Sequence, residues 1–152
     1  MDINSFIVGL KKGRCAESDR FPAVDFINGT VEELDLKGVT VLRGYSVYTQ
    51  KLLKKLSIPD VERIEAQAIQ GCTILESLTF PKSLKQIAVA AIVSCSALTT
   101  VTFEGTPTSL NSSSMMGCPN VKTVNVPWAE GEVAGAPWGM GSATINYNYK
   151  GD

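Results

Sequence analysis

The chain has 152 residues and no histidine, and its 14 Lys and Arg nearly balance its 15 Asp and Glu, giving a formal net charge of −1. This near-neutral charge argues against broad electrostatic capture of nucleic acid or of an anionic membrane. The lack of histidine excludes a Ser-His-Asp or Cys-His catalytic site and removes the commonest metal ligand. At this length we expect one domain with a sizeable core.

The N-terminal segment, residues 1–29, is predicted to be a cap or an anchoring arm. Phe6, Ile7 and Leu10 lie three to four residues apart, which gives a short helical turn one apolar face. Such a helix is too short to be stable alone, so it must pack on the end of the fold or on another protein. The apolar run precedes Lys11 and Lys12, the reverse of a secretory signal, and no stretch has the roughly 20 apolar residues of a membrane span. We therefore expect a protein made in the cytoplasm, without membrane contact.

Residues 30–127 contain a repeated apolar triplet, of which Leu75, Leu78 and Phe80 are the clearest example. The triplet starts at positions 31, 53, 75, 98 and 121, in steps of 22, 22, 23 and 23 residues. A period in this range is typical of a solenoid, in which each unit buries its apolar face only when its neighbours stack on it.

Each repeat is predicted to begin with a strand that has one buried face, because its apolar and polar residues alternate. A proline follows at Pro59, Pro81 and Pro127, where it forces the chain to turn. The later AI-x-x-C piece, for example Ala68 to Cys72, is predicted to be a single tight turn on the outer side. The fold class is therefore a β-rich solenoid of about five parallel strands in one curved sheet, with short turns or 3-10 segments outside and a cap at each end.

Three of the four cysteines, Cys72, Cys95 and Cys118, occupy the same place in successive repeats, and Gln50 fills that place in the first. We expect buried free thiols there, because free cysteine packs as a small apolar residue. A reducing compartment disfavours disulfide bridges, and the CxxC spacing of a zinc site is absent. The sequence thus predicts no metal, no cofactor and no catalytic residue.

The C-terminal segment, residues 128–152, is predicted to cap the other end. Its stretch Ala143 to Tyr149 alternates apolar and polar residues and resembles a closing strand. Trp128 and Trp138 have two interpretations: apolar plugs over the last coil, or exposed aromatics that bind a partner.

The outward positions of the predicted strands form a polar row that could hydrogen-bond a glycan or a protein edge. Its alternative is an ordinary solvated β face, and it contains no aromatic platform for a sugar. The candidate residues of this row are Asp35, Ser57, Thr79, Thr102 and Asn125.

The repeat, written LxxLxxPxxLxxIxxxAIxxC, resembles the leucine-rich repeats of the BspA type found in bacterial surface proteins and their phages. The residues that carry the resemblance are Leu53, Leu56, Pro59, Val61, Ile64, Ala68, Ile69 and Cys72, with their counterparts through Cys118. The family usually has Phe where this chain has Ile69, Ile92 and Met115. The resemblance covers about two thirds of the chain.

The segments 104–139 and MDINSFIVGLKKG also resemble phage and prophage structural proteins of gram-positive bacteria. This resemblance implies a non-enzymatic virion structural protein that decorates the tail or capsid. Its partners would be other virion proteins, reached through a terminal segment, and a host-surface protein or glycan. A bacterial adhesion module and a glycan-binding module are the alternatives. Tail or capsid position, copy number and homo-oligomerisation stay open.

Overall fold

The computed structural model describes residues 31–151, and these wind into a parallel β-solenoid without a helix. The predicted solenoid is confirmed. Each coil begins on a first face, whose strands carry the alternating apolar residues seen in the sequence. The first-face strands are β1 (Glu33–Asp35), β4 (Lys55–Ser57), β7 (Ser77–Phe80), β10 (Thr100–Phe103), β12 (Thr123–Asn125) and β13 (Thr144–Asn146).

The predicted register of the first face is confirmed in every strand pair that forms. Leu34 lies opposite Leu56, Leu78 opposite Val101, and Val101 opposite Val124. The closing strand is also confirmed as β13, which pairs in parallel with β12 and adds Ile145 to the column. A second buried column consists of Leu36, Ile58, Phe80, Phe103 and Val126. Burying each such side chain contributes about 1.5–3 kcal/mol, so the columns together stabilise the array.

The outer part of each coil differs from the prediction, because it consists of short strands and not of a single tight turn. The second face contains β2 (Val41–Leu42), β5 (Arg63–Ile64), β8 (Gln86–Ile87) and β11 (Ser109–Leu110). The third face contains β3 (Val47–Tyr48), β6 (Ile69–Gln70) and β9 (Ile92–Val93). Two residues suffice here, because each pair hydrogen-bonds to its equivalent in the next coil, as Ile69 N does to Ala91 O at 3.0 Å.

The corner between the second and third faces is built from left-handed residues that are not glycine. Tyr45, Gln67 and Ala90 occupy equivalent positions with φ of 63°, 58° and 49°. Such a conformation costs on the order of 1 kcal/mol per residue. Hydrogen bonds to the next coil offset this cost. Tyr45 N donates to Gln67 O at 2.8 Å, and Gln67 N donates to Ala90 O at 2.7 Å. The stacking of coils, and not local preference, therefore fixes this corner.

The core runs the length of the described coils and ends on an aromatic cluster. The rings of Phe80 and Phe103 lie 4.7 Å apart, and those of Phe103 and Trp128 lie 5.2 Å apart. The loop after β12 brings Trp138 against Trp128 at 5.8 Å, edge to face. Trp138 also accepts at its carbonyl the N–H of Met115 at 3.0 Å, which extends the hydrogen bonding of the third face. The loop thus closes the C-terminal end of the solenoid.

Candidate functional site

The outward side chains of the first face form two aligned columns, because paired parallel strands place equivalent residues side by side about 4.8 Å apart. In coils one and two the first face carries the charged residues Glu33, Asp35 and Lys55. From coil three onward the outward residues are hydroxyls and amides. The two neutral columns are Ser77, Thr100, Thr123 and Thr144, and Thr79, Thr102, Asn125 and Asn146.

The exposure of the predicted row falls along the solenoid. Ser57 and Thr79 are exposed and Thr102 is half-buried, but Asn125 is buried, with 8% of its surface exposed. The prediction that Asn125 faces solvent was therefore wrong. Asn125 donates to Thr102 Oγ1 at 3.2 Å and accepts from Asn146 Nδ2 at 2.8 Å. The added strand β13 covers it, so its amide links strands and is not free to contact a partner.

The first face is interrupted between β4 and β7. Among residues 31–151 no backbone hydrogen bond joins these two strands, whereas β5 and β8 of the same coils are paired. A depression of about 550 Å³ lies there, lined by Lys55, Ser57 and Thr79 among others. The interruption coincides with the change in coil length from 22 to 23 residues. The additional residue falls in the turn after β7, where Pro81 to Leu84 spans one residue more than Pro59 to Val61.

A larger cleft lies at the corner that follows the first face, and we call it the corner cleft. It has a volume of about 1000 Å³ and runs across the ends of successive strands. The side chains that matter for its chemistry are Thr79, Lys82, Thr102, Glu104, Pro127 and Tyr149. The cleft thus combines an aromatic ring, hydroxyls, a carboxylate and an ammonium.

Backbone contacts fix two walls of the corner cleft. Tyr149 N donates to Val126 O at 2.9 Å, and Asn148 N donates to Trp128 O at 3.0 Å, so the chain after β13 lies along the last coil. On the other side, a Cβ at Gly105 would come within 2.9 Å of Lys82 Cα. Only glycine permits this approach without a backbone shift, and the turn of coil four therefore lies directly against that of coil three.

The charged groups of the corner cleft have no ion-pair partner among residues 31–151. Four ion pairs occur in the described part of the chain, and none involves Lys82, Glu104 or Lys150; the pairs are Glu32–Lys54, Glu33–Lys55, Glu62–Lys85 and Arg63–Glu65. These pairs are exposed and contribute little to stability. The hydrogen bond from Lys55 lowers the pKa of Glu33, and the same bond raises the pKa of Lys55. The exposed Lys82, Glu104 and Lys150 thus stay available to a ligand.

The predicted column of buried thiols is confirmed. Cys72, Cys95 and Cys118 are free and no more than 1% exposed, and Gln50 is buried at the head of the column. A hydrogen bond from Cys118 acts to lower the pKa of Cys95, but the hydrogen bond to Cys72 and burial outweigh it and raise that pKa to about 12. The hydrogen bond to Cys95, together with burial, raises the pKa of Cys118. The hydrogen bond with Cys95 lowers the pKa of Cys72, although burial opposes it. These thiols are packing groups without solvent access.

The two predicted tryptophans are buried and not placed to bind a partner. Trp128 and Trp138 are 2% and 0% exposed, which corrects the interpretation of exposed aromatics: both plug the last coil. Phe6, Ile7 and Leu10, like Cys15, lie outside the described residues.

Residues 31–151 include no group of three or more His, Cys, Asp or Glu placed to hold a metal ion. Nor does this part of the chain form a helix long and apolar enough to cross a membrane.

The sequence did not reveal Tyr149, Lys82 and Glu104 as a group. In the sequence, Tyr149 is recognisable only as part of a closing strand, and Lys82 and Glu104 are recognisable only as turn residues. The recurring proline after each first-face strand marked the corner, but nothing in the sequence shows that the C-terminal segment returns to it.

Of three comparisons with known proteins, only the one with protein-family models found a match. A search of curated proteins found no match, and a search of solved structures found none. The model of the BspA type leucine-rich repeat region matches six copies over residues 40–131, which are 92 of the 152 residues. The match covers the same coils that carry the aligned apolar columns and the thiol column. The chain therefore belongs to the BspA-type leucine-rich repeat family.

Proposed function

We propose that this chain is a non-enzymatic interaction module of a phage particle, held by a terminal segment and presenting its first face to the host surface. Leucine-rich repeat modules typically serve protein–protein or surface interaction, and a repeat scaffold by itself carries no catalytic site.

The observation that carries the interaction surface is the neutral half of the first face. Ser77, Thr79, Thr100 and Thr102 stand on two adjacent strands in register, so four hydroxyl groups lie in a regular array. Hydroxyls both donate and accept, and neutral groups are cheaper to desolvate than charged ones. The charged residues of coils one and two border this array on one side. Such a rigid polar surface suits a partner that offers many hydrogen-bonding groups.

The virion setting is supported by the resemblance of segments 104–139 and 1–13 to phage structural proteins. It is tested by quantitative mass spectrometry of purified particles from a bacterium that carries the gene. We expect the chain in the particles, with a few copies for a tail tip or hundreds for capsid decoration. Deletion of residues 1–13 should release it if the N-terminal segment is the anchor. Absence of the intact chain from purified particles would refute the virion setting.

The first face is tested separately by binding of a fluorescent-protein fusion of the chain to host cells. The double variant Ser77→Arg, Thr100→Arg places two bulky charges in the hydroxyl array, on paired strands and outside the corner cleft, and we expect binding to fall at least tenfold. Gln86→Arg is the matched control, because Gln86 is exposed on strand β8 of the second face. Equal binding by all three proteins would show that another surface makes the contact.

A further inference from the structure

We propose that the corner cleft binds a carbohydrate of two or three sugar units, with Tyr149 as the stacking ring and Glu104 and Lys82 as hydrogen-bonding groups. This inference rests on the proposed function as a surface-interaction module and adds the chemical class of the partner. It also supplies the aromatic group that the polar row of the first face lacks.

The size and position of the cleft fit a short oligosaccharide. Its volume of about 1000 Å³ is at the upper end of the range of about 300–1,000 Å³ typical of small-molecule sites. It extends over several coils, from Pro59 in coil two to Pro127 in coil five. It is therefore longer than a single sugar ring requires.

The lining offers the two kinds of contact that a sugar needs. Sugars have apolar C–H faces that pack on aromatic and proline rings, and Tyr149 and Pro127 are both half-buried at the cleft with part of their surface free. Sugars also carry hydroxyls that both donate and accept. The Glu104 carboxylate can only accept and the Lys82 ammonium can only donate, while the hydroxyl of Thr79 can do either. Lys82 and Glu104 are exposed, and neither is in an ion pair with another described residue.

Other ligand classes fit less well. A peptide bound as an added strand needs a free strand edge along its length, but the cleft crosses the ends of the strands near Thr79 and Thr102. A nucleic acid needs a concentration of positive charge, whereas the cleft lining includes the carboxylate Glu104 as well as Lys82 and Lys150, and the chain has a net charge of −1.

The cleft is preformed, which lowers the entropic cost of binding. Tyr149 is held by the bond from its N–H to Val126 O, a contact of the backbone that survives replacement of the ring. The turn at Lys82 is held by its close approach to Gly105. A ligand would therefore meet groups that are already positioned, and ring substitutions at Tyr149 should leave the fold intact.

The test is an array of defined bacterial and mammalian oligosaccharides probed with the 152-residue chain, followed by titration calorimetry of the strongest hit. We expect binding to at least one oligosaccharide. Tyr149→Ala should weaken it at least tenfold, and Glu104→Gln about tenfold, while Tyr149→Phe keeps the ring and should stay within threefold of the parent. Tyr45→Ala is the control, since Tyr45 is 45% exposed and lies at the corner between the second and third faces.

The outcomes separate this inference from the proposed function. An array without hits, or binding that Tyr149→Ala leaves unchanged, refutes the carbohydrate site. If Ser77→Arg, Thr100→Arg still abolishes binding to host cells in that case, the interaction module stands and the hydroxyl array of the first face, not the corner cleft, makes the contact. Thermal unfolding of each variant serves as the folding check. If the alanine variant is unstable, Glu104→Gln decides the question, because Glu104 is exposed, and unchanged binding by Glu104→Gln then refutes the site.

Discussion

Asn146 donates its side-chain amide to Asn125 at 2.8 Å, and Asn125 donates in turn to Thr102 at 3.2 Å. These two contacts link the last three strands of the first face from outside, parallel to the apolar column beneath. They connect the polar surface to the stability of the C-terminal end, because the same amide that could have bound a partner holds the closing strand.

Replacing Asn125 by alanine should therefore lower the free energy of unfolding by about 1–2 kcal/mol, since two hydrogen bonds are lost. Asn125→Asp should cost more at neutral pH, because a buried carboxylate cannot donate to Thr102. Protonation restores a donor and removes the charge, so the stability of Asn125→Asp relative to the parent should rise as pH falls. Urea unfolding at pH 7 and pH 4 measures both effects. A constant difference between the two proteins would contradict the buried placement.

Substitutions at two neighbouring positions of β7 should differ sharply in their effect on stability, because one side chain lies in the apolar column and the other points outward. Leu78 is 1% exposed and lies opposite Val101, so Leu78→Asp buries an unpaired charge and should unfold the array or cost at least about 4 kcal/mol. Thr79→Asp, one residue further on, points outward and should stay within about 0.5 kcal/mol of the parent. Thermal unfolding followed by circular dichroism compares the two. Similar melting of both variants would mean that the register is wrong.

The thiol column should be unreactive in the folded protein. In a Cys15→Ser background we expect negligible labelling by a thiol reagent at pH 8, because Cys72, Cys95 and Cys118 are buried and the pKa of Cys95 is raised to about 12. Three thiols should react once the protein is unfolded in guanidinium. Intact-mass spectrometry counts the labels, and rapid labelling of even one thiol before unfolding would place it at the surface.

The raised pKa of Cys118 predicts a loss of stability in alkali. The unfolded thiol releases its proton near pH 9.0, whereas the folded thiol keeps it, so the unfolded state binds fewer protons and the free energy of unfolding falls as pH rises above that value. Cys118→Ala removes this contribution. Its stability should fall less steeply than that of the parent between pH 9 and 10.5, by at most about 1.4 kcal/mol per pH unit. Urea unfolding at four pH values tests this, and identical slopes would contradict it.

Trp128 and Trp138 cover the last coil, and the same substitution at each allows a direct comparison of their contributions to stability. Trp138 Nε1 donates to Ala134 O at 2.9 Å, whereas the buried Nε1 of Trp128 has no partner within the described part of the chain. Both change to Phe with the same loss of volume, but only Trp138→Phe leaves a carbonyl unpaired. We expect it to cost about 1–2 kcal/mol more than Trp128→Phe. Chemical denaturation of both variants measures the difference, and a larger cost for Trp128→Phe would reverse the assignment.

The sequence predicted the parts of the fold that repeat. The columns through Leu78 and Phe80, the thiols and the closing strand were all visible, because a stacked coil requires the same residue type at the same place. The short strands of the third face were missed, since two residues such as Ile69 and Gln70 show no periodicity. The burial of Asn125 was missed because it depends on the strand that stacks on it.

By itself, then, the sequence determined the pitch of the solenoid, its register and which face of each strand is buried, since these follow from the spacing of apolar residues along the chain. Only the tertiary structure decided which polar side chains are exposed and can contact a partner. The return of residues 144–149 covers Asn125, places Tyr149 in the corner cleft and leaves Glu104 and Lys82 exposed beside it. That return depends on hydrogen bonds between segments about 20 residues apart, and no local spacing in the sequence encodes them.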